Sequence, residues 1–114
     1  MEKHYCRIIE GYKAAYPDPL RFTKGEILKI EMKESKWSGW VWCINELGKG
    51  RWIPENYLEI YEDTCKVLRD YEATELTVKE GDKLEIKEIE SDWIWAVNKE
   101  GKQGWVPLKC VQLL

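Results

Sequence analysis

No apolar run in this 114-residue chain approaches the roughly 18 residues that a membrane span requires, and Met1-Glu2-Lys3-His4-Tyr5 lacks the apolar core of a secretory signal. A cytoplasmic protein with no membrane partner is the expectation. Histidine is almost missing: with His4 alone, and with Cys6, Cys43, Cys65 and Cys110 forming no Cys-x-x-Cys pair, no standard zinc set can be assembled. Free thiols are expected, with no metal and no cofactor. Paired carboxylates, a nucleophile beside a base and a phosphate-cradling glycine loop are equally lacking, which argues against an enzyme. The 18 Lys+Arg against 21 Asp+Glu contain no basic run, and this disfavours nucleic acid as a partner. Nor does any segment combine an apolar stripe at helical spacing with caps, so a helix longer than one turn is not expected.

Tryptophan, by contrast, is abundant. Six of the seven fall in two copies of one pattern. The first reads Trp40-Val41-Trp42-Cys43-Ile44-Asn45, then Gly48-Lys49, then Trp52-Ile53-Pro54. The second reads Trp93-Ile94-Trp95-Ala96-Val97-Asn98, then Gly101-Lys102, then Trp105-Val106-Pro107, at a constant offset of 53. Large amphipathic rings repeated in this way point to a binding surface or to a contact between repeats. The duplication divides the chain into units of about 55 residues, near the lower limit for a core without staples. Residues 1–61 carry a net charge of +1 and residues 62–114 a net charge of −4. Cys6 and Cys65 sit at equivalent places, in Cys-Arg-Ile-Ile and Cys-Lys-Val-Leu, so duplication explains them without a bond.

Each copy reads as five short β-strands punctuated by glycine. Gly25 and Gly81 follow Leu20-Arg21-Phe22 and Leu76-Thr77-Val78, where a tight turn can demand positive φ. Alternation places Cys43 and Ala96 inward with Val41 and Ile94, and Trp40 with Trp42, like Trp93 with Trp95, on the opposite face. The copies differ in two loops. Seven residues separate Tyr12 from Leu20 but four separate Tyr71 from Leu76, and the span from Gly25 to Trp40 exceeds that from Gly81 to Trp93 by three. If pairing ends at Ile60 and restarts near Thr64, only Tyr61-Glu62-Asp63 join the units, a reach of about 10 Å. A fixed relative orientation with Tyr61 in the interface is then expected.

Leu20-x-Phe22-x-Lys24-Gly25-Glu26, the Trp40 strand, and Gly50-Arg51-Trp52-Ile53-Pro54-Glu55-Asn56-Tyr57-Leu58 resemble the Src homology 3 family in its usual order. Val67-Leu68-Arg69-Asp70-Tyr71 resembles that family's opening Ala-Leu-Tyr-Asp-Tyr. It is followed by Leu76-x-Val78-x-x-Gly81-Asp82, Trp93 and Gly104-Trp105-Val106-Pro107. The resemblance implies an all-β protein of two consecutive five-stranded barrels packed closely, residues 1–61 and residues 62–114, the second with a shortened specificity loop. It also implies a groove of aromatic rings for proline-rich segments in the polyproline II conformation. Carried over by position, that ligand-binding groove comprises Tyr12, Trp40, Trp52, Pro54, Asn56 and Tyr57 in the first unit. Asp18 there stands in for the loop acid that could pair with a basic ligand residue. The second unit supplies Tyr71, Glu75, Trp93, Trp105 and Pro107. Both depart from the pattern. Glu10 and Arg69 replace the first aromatic of the opening motif, Cys110 stands where Tyr57 stands in the first copy, and Lys109 replaces the asparagine.

The leading expectation is a non-catalytic, adaptor-like protein-interaction module that binds an extended, proline-rich peptide or a protein surface, mainly through the first barrel. One alternative is a structural subunit whose aromatic faces are consumed by a repeat or oligomer contact. Another is a small-barrel reader of nucleic acid or methylated lysine, the latter needing several rings around one cation. Trp40 and Trp93 are expected to lie open. Trp42 and Trp95 are expected to cover a neighbouring strand or the other repeat, and Trp52 and Trp105 stand between groove edge and packing. Pro54 and Pro107 are expected to start a single helical turn before each last strand.

Overall fold

Alternating apolar and polar positions, broken by glycine and by short polar turns, give twelve short strands and two single 3-10 turns in a computed structural model that describes residues 3–33 and 38–114. The strands are β1 (His4–Ile8), β2 (Arg21–Phe22), β3 (Ile27–Glu31), β4 (Trp40–Ile44), β5 (Gly50–Pro54), β6 (Leu58–Ile60), β7 (Thr64–Val67), β8 (Tyr71–Glu72), β9 (Lys83–Glu90), β10 (Trp93–Val97), β11 (Gln103–Pro107) and β12 (Val111–Leu113). The 3-10 turns, Glu55–Tyr57 and Leu108–Cys110, follow Pro54 and Pro107 as expected. The all-β reading with two five-stranded sheets holds.

Strand pairing does not follow the consecutive halves. One compact unit is the contiguous segment Pro19–Ala73, and the other combines Met1–Asp18 with Thr74–Leu114. We call them the inserted barrel and the split barrel, after their places in the sequence. The division at residues 61 and 62 therefore describes the sequence repeat, whereas the strands exchange their opening segments: β1, from the first repeat, pairs with β9 and β12 of the second. In the same way β7, from the second repeat, pairs with β3 and β6 of the first. Counted by unit, nine Lys+Arg face ten Asp+Glu in the inserted barrel and nine face eleven in the split one, so the charge contrast between the halves largely disappears.

In the inserted barrel the sheet order is β5-β4-β3-β7-β6, with β2 and β8 as a separate two-stranded ribbon. Its core holds Phe22, Leu28, Cys43, Ile53, Cys65 and Val67, all almost fully buried. Tyr61-Glu62-Asp63 is the turn of the β6–β7 hairpin, with Ile60 opposite Cys65 and the Tyr61 N–H donating to the Thr64 carbonyl at 2.9 Å. This overturns its reading as a linker between barrels, because both strands that it joins belong to the same sheet; Tyr61 itself is exposed. The Cys43 and Cys65 sulfurs lie 3.7 Å apart as free thiols. Contact with Cys65, together with burial, pushes the Cys43 thiol up.

The split barrel repeats the same order as β11-β10-β9-β1-β12. Cys6, Ile8, Leu84, Ile94, Ala96 and Val106 form the centre of its core. The shortened specificity loop becomes a two-residue hairpin turn, since Glu90 pairs with Trp93 and both intervening residues, Ser91 and Asp92, have positive φ of 47° and 69°. Such φ values at both central positions match the right-handed twist of the flanking strands. The corresponding longer loop of the first repeat includes residues 34–37, which lie outside the described residues. Gly25 and Gly81 have φ of 92° and 94°, the positive values their turns were expected to need.

Candidate functional site

In the inserted barrel the β4–β5 ladder sets Trp40 opposite Pro54 and Trp42 opposite Trp52. Pro54 leads into the 3-10 turn that carries Asn56 and Tyr57, and the Glu55 N–H donates to the Gly39 carbonyl at 2.8 Å, tying that turn to the start of β4. Tyr71 arrives on β8, packs edge-on to Tyr57 at 5.4 Å between ring centroids, stacks with Phe22 at 6.4 Å, and donates its hydroxyl to the Trp52 carbonyl at 3.1 Å. Tyr57 and Tyr71 are buried, Trp40 and Trp52 half-buried, and Asn56 exposed. Exposed Arg69 lies with its guanidinium 4.3 Å from the Tyr57 ring centroid, a distance at which a cation is attracted to the ring face. Lys33 makes the same kind of contact with Trp42 at 3.7 Å. The only sequence signal for Arg69 as a groove residue was the missing aromatic at its position.

The split barrel gathers Tyr12, Asp18, Glu75, Trp93, Trp105 and Pro107. Tyr12 bridges to Val78, and its hydroxyl donates to Glu75 Oε1 at 2.5 Å, while the Ala15 N–H donates to the same oxygen at 2.9 Å. Glu75 is thereby engaged in holding its own loop. Tyr12 also meets Trp93 edge-on, with centroids 5.7 Å apart and planes 85° apart. Trp93 is only 8% exposed and Trp105 4%, so the expectation of an open Trp93 ring is corrected. Where the inserted barrel has Arg69 and Tyr57, the split barrel has Glu10 and Cys110, whose thiol lies 4.0 Å from Glu10 Oε2. Burial, and then the Glu10 charge, push the Cys110 thiol up.

The exchange thus sorts the expected residues differently from the sequence halves. Tyr12 and Asp18 do not share a unit with Trp40, nor Tyr71 with Trp93, because each opening segment completes the other repeat's barrel. Of the four departures, Glu10, Lys109 and Cys110 fall in the split barrel and Arg69 in the inserted one. The inserted barrel keeps Trp40, Trp52, Pro54, Asn56, Tyr57 and Tyr71 together. Trp42 and Trp52 meet edge-on at 5.2 Å, as do Trp95 and Trp105 at 5.4 Å, and the Trp95 indole N–H donates to Gln103 at 3.0 Å. Trp42 and Trp95 therefore cover a neighbouring strand, one of the two roles expected of them.

The Tyr12 phenol is held above its ordinary value, first by burial and then by the Glu75 carboxylate. Its neutral form is favoured on folding, so this stabilisation is complete below about pH 10 and is lost as pH rises beyond it, where the unfolded phenol releases its proton and the folded one does not. Unfolding free energy should fall with pH above about 10, and Tyr12→Phe should flatten that slope; equal slopes in urea titrations of the two proteins would count against the assignment.

A small five-stranded barrel with its tryptophans on paired strands and a tyrosine on the 3-10 turn before its last strand is the architecture of a class of protein-interaction module. Among the described residues no group of three His, Cys, Asp or Glu is placed to hold a metal ion, and no helix is long and apolar enough to cross a membrane. The profile of the variant SH3 domain family matches the chain twice, over residues 5–61 and 64–114, and the chain belongs to that family. The human SH3 and PX domain-containing protein 2B is 32% identical over 92 residues, covering 75% of this chain, and the chain spans about a tenth (10%) of that relative's length. No solved structure matches the chain.

Proposed function

We propose that the chain is a non-catalytic binding module whose working surface is the aromatic groove of the inserted barrel, and that its ligand is an extended, proline-containing peptide. The observation that carries this reading is the grouping of Tyr57, Tyr71, Trp40 and Asn56 within one barrel. Two buried tyrosines in edge contact form a fixed floor, and the half-buried indole and the exposed amide offer a ring face and a polar edge. A polyproline segment has no internal hydrogen bonds and arrives already extended, so ring faces take its prolines while polar edges bond its carbonyls. The split barrel is the weaker candidate. Its Tyr57 position is the buried thiol of Cys110, and Trp93, its counterpart of Trp40, is buried with its ring edge-on to Tyr12.

Titration of the labelled chain with a proline-rich peptide, followed by amide shifts, tests this. The largest shifts are expected at Trp40, Asn56, Tyr57 and Tyr71, with little change near Cys110. Saturating peptide that leaves those amides in place would remove the proposal.

A further inference from the structure

The split barrel begins with β1 and ends with β12, and these two strands pair. The inserted barrel has the same sheet order, but its equivalents of those strands, β7 and β6, are joined by the Tyr61-Glu62-Asp63 turn, and its own ends lie elsewhere. Those ends meet, since β2 pairs with β8 and the Ala73 N–H donates to the Leu20 carbonyl at 2.9 Å. The gap left in the split barrel is also closed, by the Glu75 N–H donating to the Tyr16 carbonyl at 3.0 Å. Relative to the split barrel, the inserted one is therefore a circular permutant set into a loop. Adjacent ends of this kind are what permit a domain to be inserted into another without opening either.

We propose that the folding unit of the first repeat is not residues 1–61 but the contiguous segment Pro19–Ala73, which folds as a permuted barrel without the rest of the chain. Every strand of its sheet and of its ribbon finds its partner inside that segment. Within the inserted barrel, local closure favours this order over the consecutive one, the longer closures of β1 onto β9 and β12 falling to the split barrel. The β6–β7 hairpin forms across a three-residue turn, whereas pairing β1 with β6 would close a loop of about 50 residues, and the entropic cost of closure rises with loop length. Short-range pairing is also the faster to form. Residues 1–61 alone would lack β7 and β8, and with them Tyr71.

The test uses the full chain carrying specific protease sites. Cleavage between Glu62 and Asp63 should leave the two pieces eluting together as the uncut protein and separating only in denaturant. Cleavage at both Asp18–Pro19 and Ala73–Thr74 should release a fragment that melts cooperatively. Separation of the first product into two folded halves, or release of an unfolded 19–73 fragment, would overturn the proposal. Should either insertion prevent folding, amide contacts in the unmodified chain decide. The observed register predicts Lys66 beside Ile27 and Arg7 beside Lys83. Contacts of Arg7 with Ile27 and of Lys66 with Lys83 would overturn it.

Discussion

Gly104→Val is expected to unfold the split barrel at temperatures the parent chain tolerates. Gly104 lies on β11 opposite Ala96 and is buried. A Cβ there would stand 2.8 Å from the Leu76 amide nitrogen and Cβ, and 2.9 Å from the Glu75 carbonyl carbon. Two of these three atoms are backbone, so a rotamer change cannot relieve the collision. The segment 74–76 must move, and it is held by the Leu76 N–H donating to the Trp105 carbonyl at 3.1 Å and the Trp105 N–H donating to the Thr74 carbonyl at 2.9 Å. Glycine in a strand often marks such a close approach. Overpacking typically costs 1–3 kcal/mol, and a collision with backbone belongs at the top of that range, about 3 kcal/mol. For a barrel whose whole stability is on the order of 6 kcal/mol, that is about half. The melting temperature should fall by about 15 °C, read by circular dichroism, and Tyr12 should lose its contact with Glu75 as the loop shifts. A variant that melts with the parent would show that the approach of the 74–76 segment to β11 is not as tight as described.

The strands, their turns and the inward positions were legible because they are local. Period-two alternation placed Cys43, Ile94 and Ala96 in the cores, where all three have no measurable exposure. Positive φ at Gly25 and Gly81 follows from turn chemistry alone. What could not be read was which opening strand serves which barrel. Cys6-Arg-Ile-Ile and Cys65-Lys-Val-Leu are nearly interchangeable, and each presents a cysteine and a β-branched residue to a core of the same shape: Cys6 and Ile8 in one, Cys65 and Val67 in the other. The opening strands themselves therefore favour neither pairing, while the family match, over residues 5–61 and 64–114, runs in the consecutive order. The choice rests on connectivity, through a turn at Tyr61-Glu62-Asp63 that can close a hairpin as readily as it can link two domains. The same ambiguity misplaced the groove residues, since Tyr12 and Tyr71 travel with the opening strands.

Trp40→Ala and Trp93→Ala should separate binding from stability, although the two residues occupy equivalent positions in the repeats. Trp40 is half-buried, in the same barrel as Tyr57 and Tyr71, so its removal takes away ring surface of the proposed groove while leaving most of the core intact. Truncating an aromatic anchor in an interface typically costs about 2 kcal/mol, or about 30-fold in Kd for a proline-rich peptide. Trp93 is 8% exposed and packed edge-on against Tyr12, and its removal leaves a cavity instead. Losing a buried tryptophan costs about 3–5 kcal/mol of folding free energy. Calorimetric titration and urea unfolding of both variants give the comparison directly. Weakened binding with near-parent stability is expected for Trp40→Ala, and the reverse for Trp93→Ala. The opposite pattern, in which Trp93→Ala alone abolishes peptide binding while remaining folded, would move the site to the split barrel and assign the inserted barrel's rings to packing.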